Sequence, residues 1–273
     1  MLLDALEALQ AHRNAVIVVG AQAVYLRTSD SDLAVAPFTT DGDLALDPSL
    51  LADEPALEDA MRARGFRLRQ PSAAHVEPGV WTTDVVVDGE RVSIPVDLIV
   101  PEGFAAPAGR RAARLPGHGR HATRKVAGLE AALVDHSSVT IAALAEHDTR
   151  SFAVEVAGVA ALFIAKAHKI SDRLAGERAG RVREKDAADV YRLMRTTSAG
   201  EVGVRMGSLR NHPVAGAPTD AALQHLADLF GRRRAEGVEL AVTALRLAVP
   251  EAEVRALCTA YIERLRAAVK ERS

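Results

Sequence analysis

Residues 39–47, TTDGDLALD, set two aspartates one residue apart in a segment that alternates between polar and apolar positions. Such alternation marks a strand with one buried face, and residues i and i+2 of a strand project from the same side. The segment is therefore predicted to be a strand that presents Asp41 and Asp43 together. Upstream, Ala15-Val16-Ile17-Val18-Val19 is a short apolar run closed by Gly20, the pattern of a buried strand ending in a tight turn. Downstream, TTDVVV at 82–87, the turn pair Asp88-Gly89 and RVSIPVDLIV at 91–100 read as a β-hairpin. Its second strand puts Val92, Ile94, Val96, Leu98 and Val100 on one face and Ser93, Pro95, Asp97 and Ile99 on the other. Pro95 argues for an edge position or a bulge. Asp97 stands inside an aliphatic strand, where aspartate is disfavoured.

The rest of the chain is organised around these segments. MLLDALEALQAHRN at 1–14 carries acidic and polar residues through its apolar positions, so an amphipathic helix is expected and not a signal peptide. Further helices are predicted over 21–26 and over 50–64, the latter stopped by Gly65. Residues 103–124, rich in Ala, Gly, Pro and Arg, read mostly as loop, and a strand over 152–156 closes this part. From Gly158 the pattern is helical over 158–175, 184–196, 219–234 and 250–271, with a turn-rich break at 198–218 that contains Pro213 and Pro218. The expected architecture is α/β (α+β): a small mixed-sheet domain over 1–157 followed by a helical domain over 158–273.

Of the 273 residues 48% are apolar, enough for a real core, and only 4% are aromatic, so Ala, Val and Leu must pack it. A formal charge of −2 gives no global pull toward nucleic acid; any such contact must come from a local basic patch. Cys258 is the sole cysteine, which excludes an intrachain disulfide and a cysteine-rich zinc site and fits a buried hydrophobe in the reducing cytoplasm. No apolar run reaches the length of a membrane span.

Three groups of residues could carry chemistry. If the strands of Asp41, Asp43 and Asp97 are neighbours, three carboxylates converge, which suits Mg²⁺ and hence phosphoryl or nucleotidyl transfer. The plainer account makes Asp41 a turn residue and Asp43 and Asp97 solvated strand positions. The second group lies in AALFIAKAHKISDRL (160–174) and REKDAADVYRLM (183–194). Lys166 and Arg173 fall within or at the edge of the apolar arc formed by Val159, Phe163, Ala167, Ile170 and Leu174, with Lys169 adjoining; Asp186 shares a stripe with Val190 and Leu193. Buried charges need partners, so Lys166 or Arg173 should meet Asp186, a phosphate, or both. A purely structural salt bridge, or stems that snorkel outward, is the alternative. The third group is the basic run Arg110, Arg111, Arg114, Arg120, Arg124 and Lys125, interleaved with His118 and His121. It could grip RNA or a triphosphate, or be a solvated loop, since it lacks aromatic stacking partners; the histidine spacing does not suit zinc.

Taken in order, Val19-Gly20-Ala21, then Thr39-Thr40-Asp41-Gly42-Asp43-Leu44, then Val96-Asp97-Leu98 resemble the DNA polymerase β-like nucleotidyltransferase superfamily: a glycine turn after a strand, an acidic pair, and a third acid on a later strand. The later block, Lys166 to Arg173 and then Lys185, Asp186 and Asp189, resembles the abortive-infection (AbiEii-type) nucleotidyltransferase toxins within it. The likeness spans residues 15–195. It implies a nucleotidyltransferase core that moves a nucleoside monophosphate from an NTP to an acceptor hydroxyl. Asp41, Asp43 and Asp97 would hold two Mg²⁺ ions, with Asp97 also helping to deprotonate the acceptor. Gly20, Ala21 and Thr40 would line the phosphate turn, Lys166, Lys169 and Arg173 would meet the nucleotide phosphates, and Asp186 would be required for activity. It further implies a tRNA 3′ end as acceptor and a cognate antitoxin as partner. Two positions depart from the pattern: Ala21 replaces the usual Gly or Ser, and Gly42 replaces an apolar strand residue. A protein side chain or a small molecule such as an aminoglycoside stays open as acceptor, as does a catalytically inert nucleotide-binding module.

Overall fold

The computed structural model of the chain describes residues 1–28, 41–73, 75–87, 89–104, 111–145, 147–176 and 184–270. The chain forms two compact units. Met1–Gln22, Thr39–Val126 and His136–Ala157 make the first; Ala23–Phe38, Ala127–Asp135 and Gly158–Ser273 make the second. Two described segments of the N-terminal half, 23–28 and 127–135, thus belong with the helices.

In the first unit, α1 (Leu2–Ala8) and a 3₁₀ turn (Gln10–Ala15) lead into β1 (Val16–Val19), whose four residues are all buried. A continuous apolar strand needs partners on both sides. β1 has them: β2 (Gly42–Leu46) runs antiparallel to it, and β9 (Ser151–Ala157) runs parallel. The other strands are β3 (Arg67–Leu68), β4 (Val80–Val87), β5 (Glu90–Pro101), β6 (Ala112–Ala113), β7 (Thr123–Val126) and β8 (His136–Ala142). The mixed sheet runs β3-β4-β5-β2-β1-β9-β8, with β7 joining β5 and β6 joining β7. The hairpin β4–β5 closes at Gly89, whose φ of +81° suits the tight turn. Pro95 is tolerated because, on the side away from β4, β5 gains a partner only from Val96 onward, where β2 joins it. Trp81, fully buried on β4, donates its indole N–H to the Ala122 carbonyl at 2.9 Å.

Several elements differ from expectation. The helix anticipated from Leu50 begins only at Leu57, as α3 (Leu57–Ala63), because Pro55 drives the residue before it out of helical backbone space. Gly65, at φ +79°, follows its end. The stretch 103–124 is not all loop: β6 and the start of β7 lie in it. Strand β8 escaped notice because His136, Ser137, Ser138 and Thr140 dilute its apolar pattern, and β3 is too short to show one.

In the second unit, part of α2 (Gly20–Arg27) joins α4 (Val159–Ala175), α5 (Glu184–Thr196), α6 (Ala199–Arg210), α7 (Gly216–Phe230), α8 (Glu236–Leu245) and α9 (Glu251–Lys270). α6 occupies the anticipated turn-rich break. Gly200, Gly203 and Gly207 lower its helix propensity, but the Ser198 side chain caps it by accepting from the Glu201 amide, a signal readable in Ser198-x-x-Glu201. Gly203 also permits close packing: a Cβ there would lie 2.6 Å from the Leu265 carbonyl oxygen and 2.7 Å from Ala268 Cβ on α9. α7 stops at Phe230, capped by Gly231, and α8 was not anticipated. Cys258 is buried on α9, and burial pushes its thiol up to about 12. Among the described residues no helix is long and apolar enough to cross a membrane.

The α6–α9 contact gives a paired test. Gly203→Val is expected to cost about 1–3 kcal/mol through overpacking against a backbone carbonyl. Gly200→Ala, whose Cβ would meet nothing nearer than Ser198 Oγ at 3.7 Å, is expected to gain about 0.5–1 kcal/mol. Urea unfolding followed by circular dichroism reads both.

Candidate functional site

The acidic face of the first unit follows from register. β2 and β5 are parallel, and Asp43 is the partner of Asp97. Partnered residues project to the same side of a sheet, on strands about 4.8 Å apart. Asp41, expected within the strand, lies just before it, since β2 begins at Gly42; it is near enough to push up the Asp97 carboxyl. The strand β1 places Val19 opposite Asp43, and the next residue, Gly20, turns at φ +70° into α2. A Cβ at position 20 would fall 2.0 Å from Asp43 Oδ2, so the carboxylate lies in the space that any other side chain would fill. Gly42 is different: an added Cβ would make only ordinary contacts, the nearest at 3.7 Å. Thr40 lies outside the described residues, as do Thr39, Asp88 and Arg110. Ala21 is buried in the first turn of α2, whose leading amides have no acceptor within the helix.

A fourth side chain belongs to this face. β7 runs parallel to β5 with Arg124 partnering Ile99, so Arg124 shares the side of Asp97, and its Nη2 donates to Asp97 Oδ2. Gly79, at φ +71°, lets the two strands close up here: a Cβ there would lie 2.5 Å from the Arg124 amide nitrogen. Burial pushes the Asp97 carboxyl above the usual carboxylate range; Arg124 pulls it down, while Asp43 and Asp41 push it up again. Burial opposes the Arg124 charge, but Asp97 and Asp43 more than offset this and hold its pKa above the ordinary value.

In residue type the three carboxylates suit a hard divalent cation, and their mutual repulsion is what such an ion would relieve. Their arrangement is not a finished metal centre. Among the described residues no group of three or more His, Cys, Asp or Glu side chains could hold an ion as they stand, and Asp97 is engaged by a guanidinium. The remainder of the basic run divides in two. Arg111, Arg114 and Arg120 are exposed, whereas Lys125 lies on β7 and pairs with Glu102 at 3.4 Å. His118 is buried edge-on against His12.

The second unit holds a buried charge cluster. Lys166, 3% exposed, donates from Nζ to Asp186 Oδ1 at 2.7 Å and to Asp189 Oδ2 at 2.6 Å. Lys169 approaches Asp186 at 3.2 Å, and Arg173 donates to its other oxygen. Lys166 is therefore neutralised inside the helix pair, while Lys169 and Arg173 keep 37% and 28% of their side-chain surface exposed. The Arg192 guanidinium lies 5.2 Å from the Tyr25 ring centroid, a cation–π contact within the same unit. Burial, then the Asp189 charge, pushes the Tyr25 hydroxyl above its usual range.

Of the partners expected for Lys166 and Arg173, Asp186 meets both; Arg124 was expected only as part of the basic run, not beside Asp97, and Tyr25 was not singled out. Tyr25 carried no signal beyond a place in a short apolar helix, and Arg124 was one of several arginines in a run that read as loop.

The pH dependence of the cluster follows from its charges. Burial opposes ionisation of Asp186, but Lys166 and Lys169 hold its carboxyl far below the usual range; burial likewise opposes the Lys166 charge, but Asp189 and Asp186 hold it above the usual lysine range. A depressed carboxylate stabilises above its unfolded value of about 3.9 and loses that contribution as pH falls. A raised lysine stabilises below its unfolded value of about 10.4 and loses that contribution as pH rises through its folded value. The cluster's own contribution to the stability of the second unit is expected to be level from about pH 5 to about pH 10 and to fall on either side. Lys166→Met is expected to lower it by about 3–5 kcal/mol at neutral pH and to flatten the alkaline fall. Urea midpoints measured across the pH range check both.

Comparison of the chain with models of known protein families, with curated proteins and with solved structures gave no match.

Proposed function

We propose that the protein is a Mg²⁺-dependent nucleotidyltransferase that moves a nucleoside monophosphate from an NTP to an acceptor hydroxyl. The observation that carries this reading is the register of Asp43 with Asp97 on parallel strands, with Asp41 just before the first of them and the Asp43 carboxylate set against the left-handed Gly20 turn. This order of turn, acidic pair and third acid is the one by which the sequence resembles polymerase β-like nucleotidyltransferases.

Each residue has a chemical part in the proposal. The leading amides of α2, from Ala21 on, face outward from a helix N-terminus and favour an anion such as a phosphate. Asp41, Asp43 and Asp97 would hold Mg²⁺, which when bound neutralises the triphosphate and polarises its α-phosphorus. Asp97, whose carboxyl lies above the usual range, is suited to take the proton of the attacking hydroxyl as its oxygen bonds to the α-phosphorus and the bond to the β-phosphate breaks, releasing pyrophosphate. In the lysine-to-arginine helix, Lys169 and Arg173 retain the surface with which to meet a phosphate, while Lys166 fixes Asp186 and Asp189. The toxin resemblance extends the proposal to a tRNA 3′ end as acceptor, a cognate antitoxin and action in the cytoplasm.

One observation favours a second reading. The Arg124–Asp97 pair leaves no ready-made metal centre among the described residues, as a catalytically inert nucleotide-binding module would. Incubation with labelled NTPs, Mg²⁺ and total RNA separates the two. Under the leading reading label passes to RNA, and Asp43→Asn lowers the rate by about 10²- to 10³-fold or more. Gly20→Ala is expected to act similarly, because its Cβ displaces the Asp43 carboxylate. No transfer to RNA, protein or an aminoglycoside by the wild-type protein would leave the inert module standing.

A further inference from the structure

The cation found beside the acidic face is one the protein supplies itself. Arg124 reaches Asp97 from β7, its backbone fixed by the register with Ile99 and by the close approach of Gly79. The inward pose is incompletely satisfied: Nη2 donates to Asp97, but Nε is buried and has no hydrogen-bond partner. A buried donor left unmet works against the conformation that buries it. The side chain nevertheless keeps 30% of its surface exposed, so rotation outward gives Nε access to water.

We propose that Arg124 is a built-in counter-cation, holding Asp97 until a divalent ion takes its place and the guanidinium swings into solvent. The proposal rests on the reading that Asp41, Asp43 and Asp97 hold Mg²⁺, and it makes Arg124 a positioning residue that sets the affinity for that ion. A guanidinium brings one charge to one carboxylate. A divalent ion brings two to all three, and it removes the repulsion that Asp43 and Asp41 exert on Asp97. Release of Arg124 recovers the unmet Nε hydrogen bond but gives up the pair with Asp97, so the exchange is finely balanced and the ion tips it.

The test uses Mn²⁺ as probe, its binding to the full chain read from loss of the free-ion electron paramagnetic resonance signal. Arg124→Gln is expected to bind Mn²⁺ about tenfold tighter than the wild type, since a competing charge has been removed. Adding Asp97→Asn should cancel the gain. An unchanged or weaker affinity in a folded Arg124→Gln protein overturns the proposal. Should that variant fail to fold, the ¹⁵Nε–H resonance of Arg124 in the wild type serves instead. It is expected to shift and to exchange faster with water as Mg²⁺ is added, and a resonance indifferent to Mg²⁺ overturns the proposal. If no form of the protein binds Mn²⁺, the metal-dependent reading falls as well. If binding depends on Asp41 and Asp43 but not on Arg124, the counter-cation role falls alone.

Discussion

Parallel strands bring partnered side chains out on the same side, and between β2 and β5 the partners are two aspartates. Placing like charges at one strand spacing is unfavourable, and burial raises the penalty. The surroundings are arranged around this one repulsion. Gly20 gives the Asp43 carboxylate room by carrying no side chain, and Gly79 lets β7 close on β5 so that Arg124 can reach Asp97. A third carboxylate, Asp41, adds to the repulsion instead of relieving it. A structural role would be served as well by one aspartate and one apolar neighbour, so the concentration of negative charge is the part of the fold that stability does not explain.

The second unit treats its buried charges in the opposite way. Lys166 is matched by two carboxylates at hydrogen-bonding distance, and Asp186 also meets Lys169 and Arg173. There the charges satisfy one another. The contrast separates two kinds of polar cluster: one locked, fixing how α4 meets α5, and one in which like charges lie side by side and Arg124 meets Asp97.

The legible features were those written in local periodicity. Alternation placed Asp43 in a strand and Asp97 opposite the aliphatic row of its own, though it also drew Asp41 into a strand that begins at Gly42; the helical wheel turned Lys166 and Arg173 toward Asp186, which both meet. Features that depend on distant partners were not legible. Arg124 gains its meaning from β5, across a stretch whose Ala, Gly, Pro and Arg content hides the short strand β7. α6 was folded into a turn-rich break on the strength of Pro213 and Pro218, both of which lie beyond its end at Arg210, and its Gly203 is there for the backbone of α9. Asp189 as a second partner of Lys166 depended on side-chain reach, which the wheel alone does not give.

The indole of Trp81 has a practical consequence. It is the one tryptophan in the chain, it is fully buried, and it lies on β4 opposite Val96, the neighbour of Asp97. Its emission, excited apart from the tyrosines, therefore comes from the sheet unit alone. The molecule carries a native optical reporter within one residue of its acidic face, and the helical unit contributes no indole signal to obscure it.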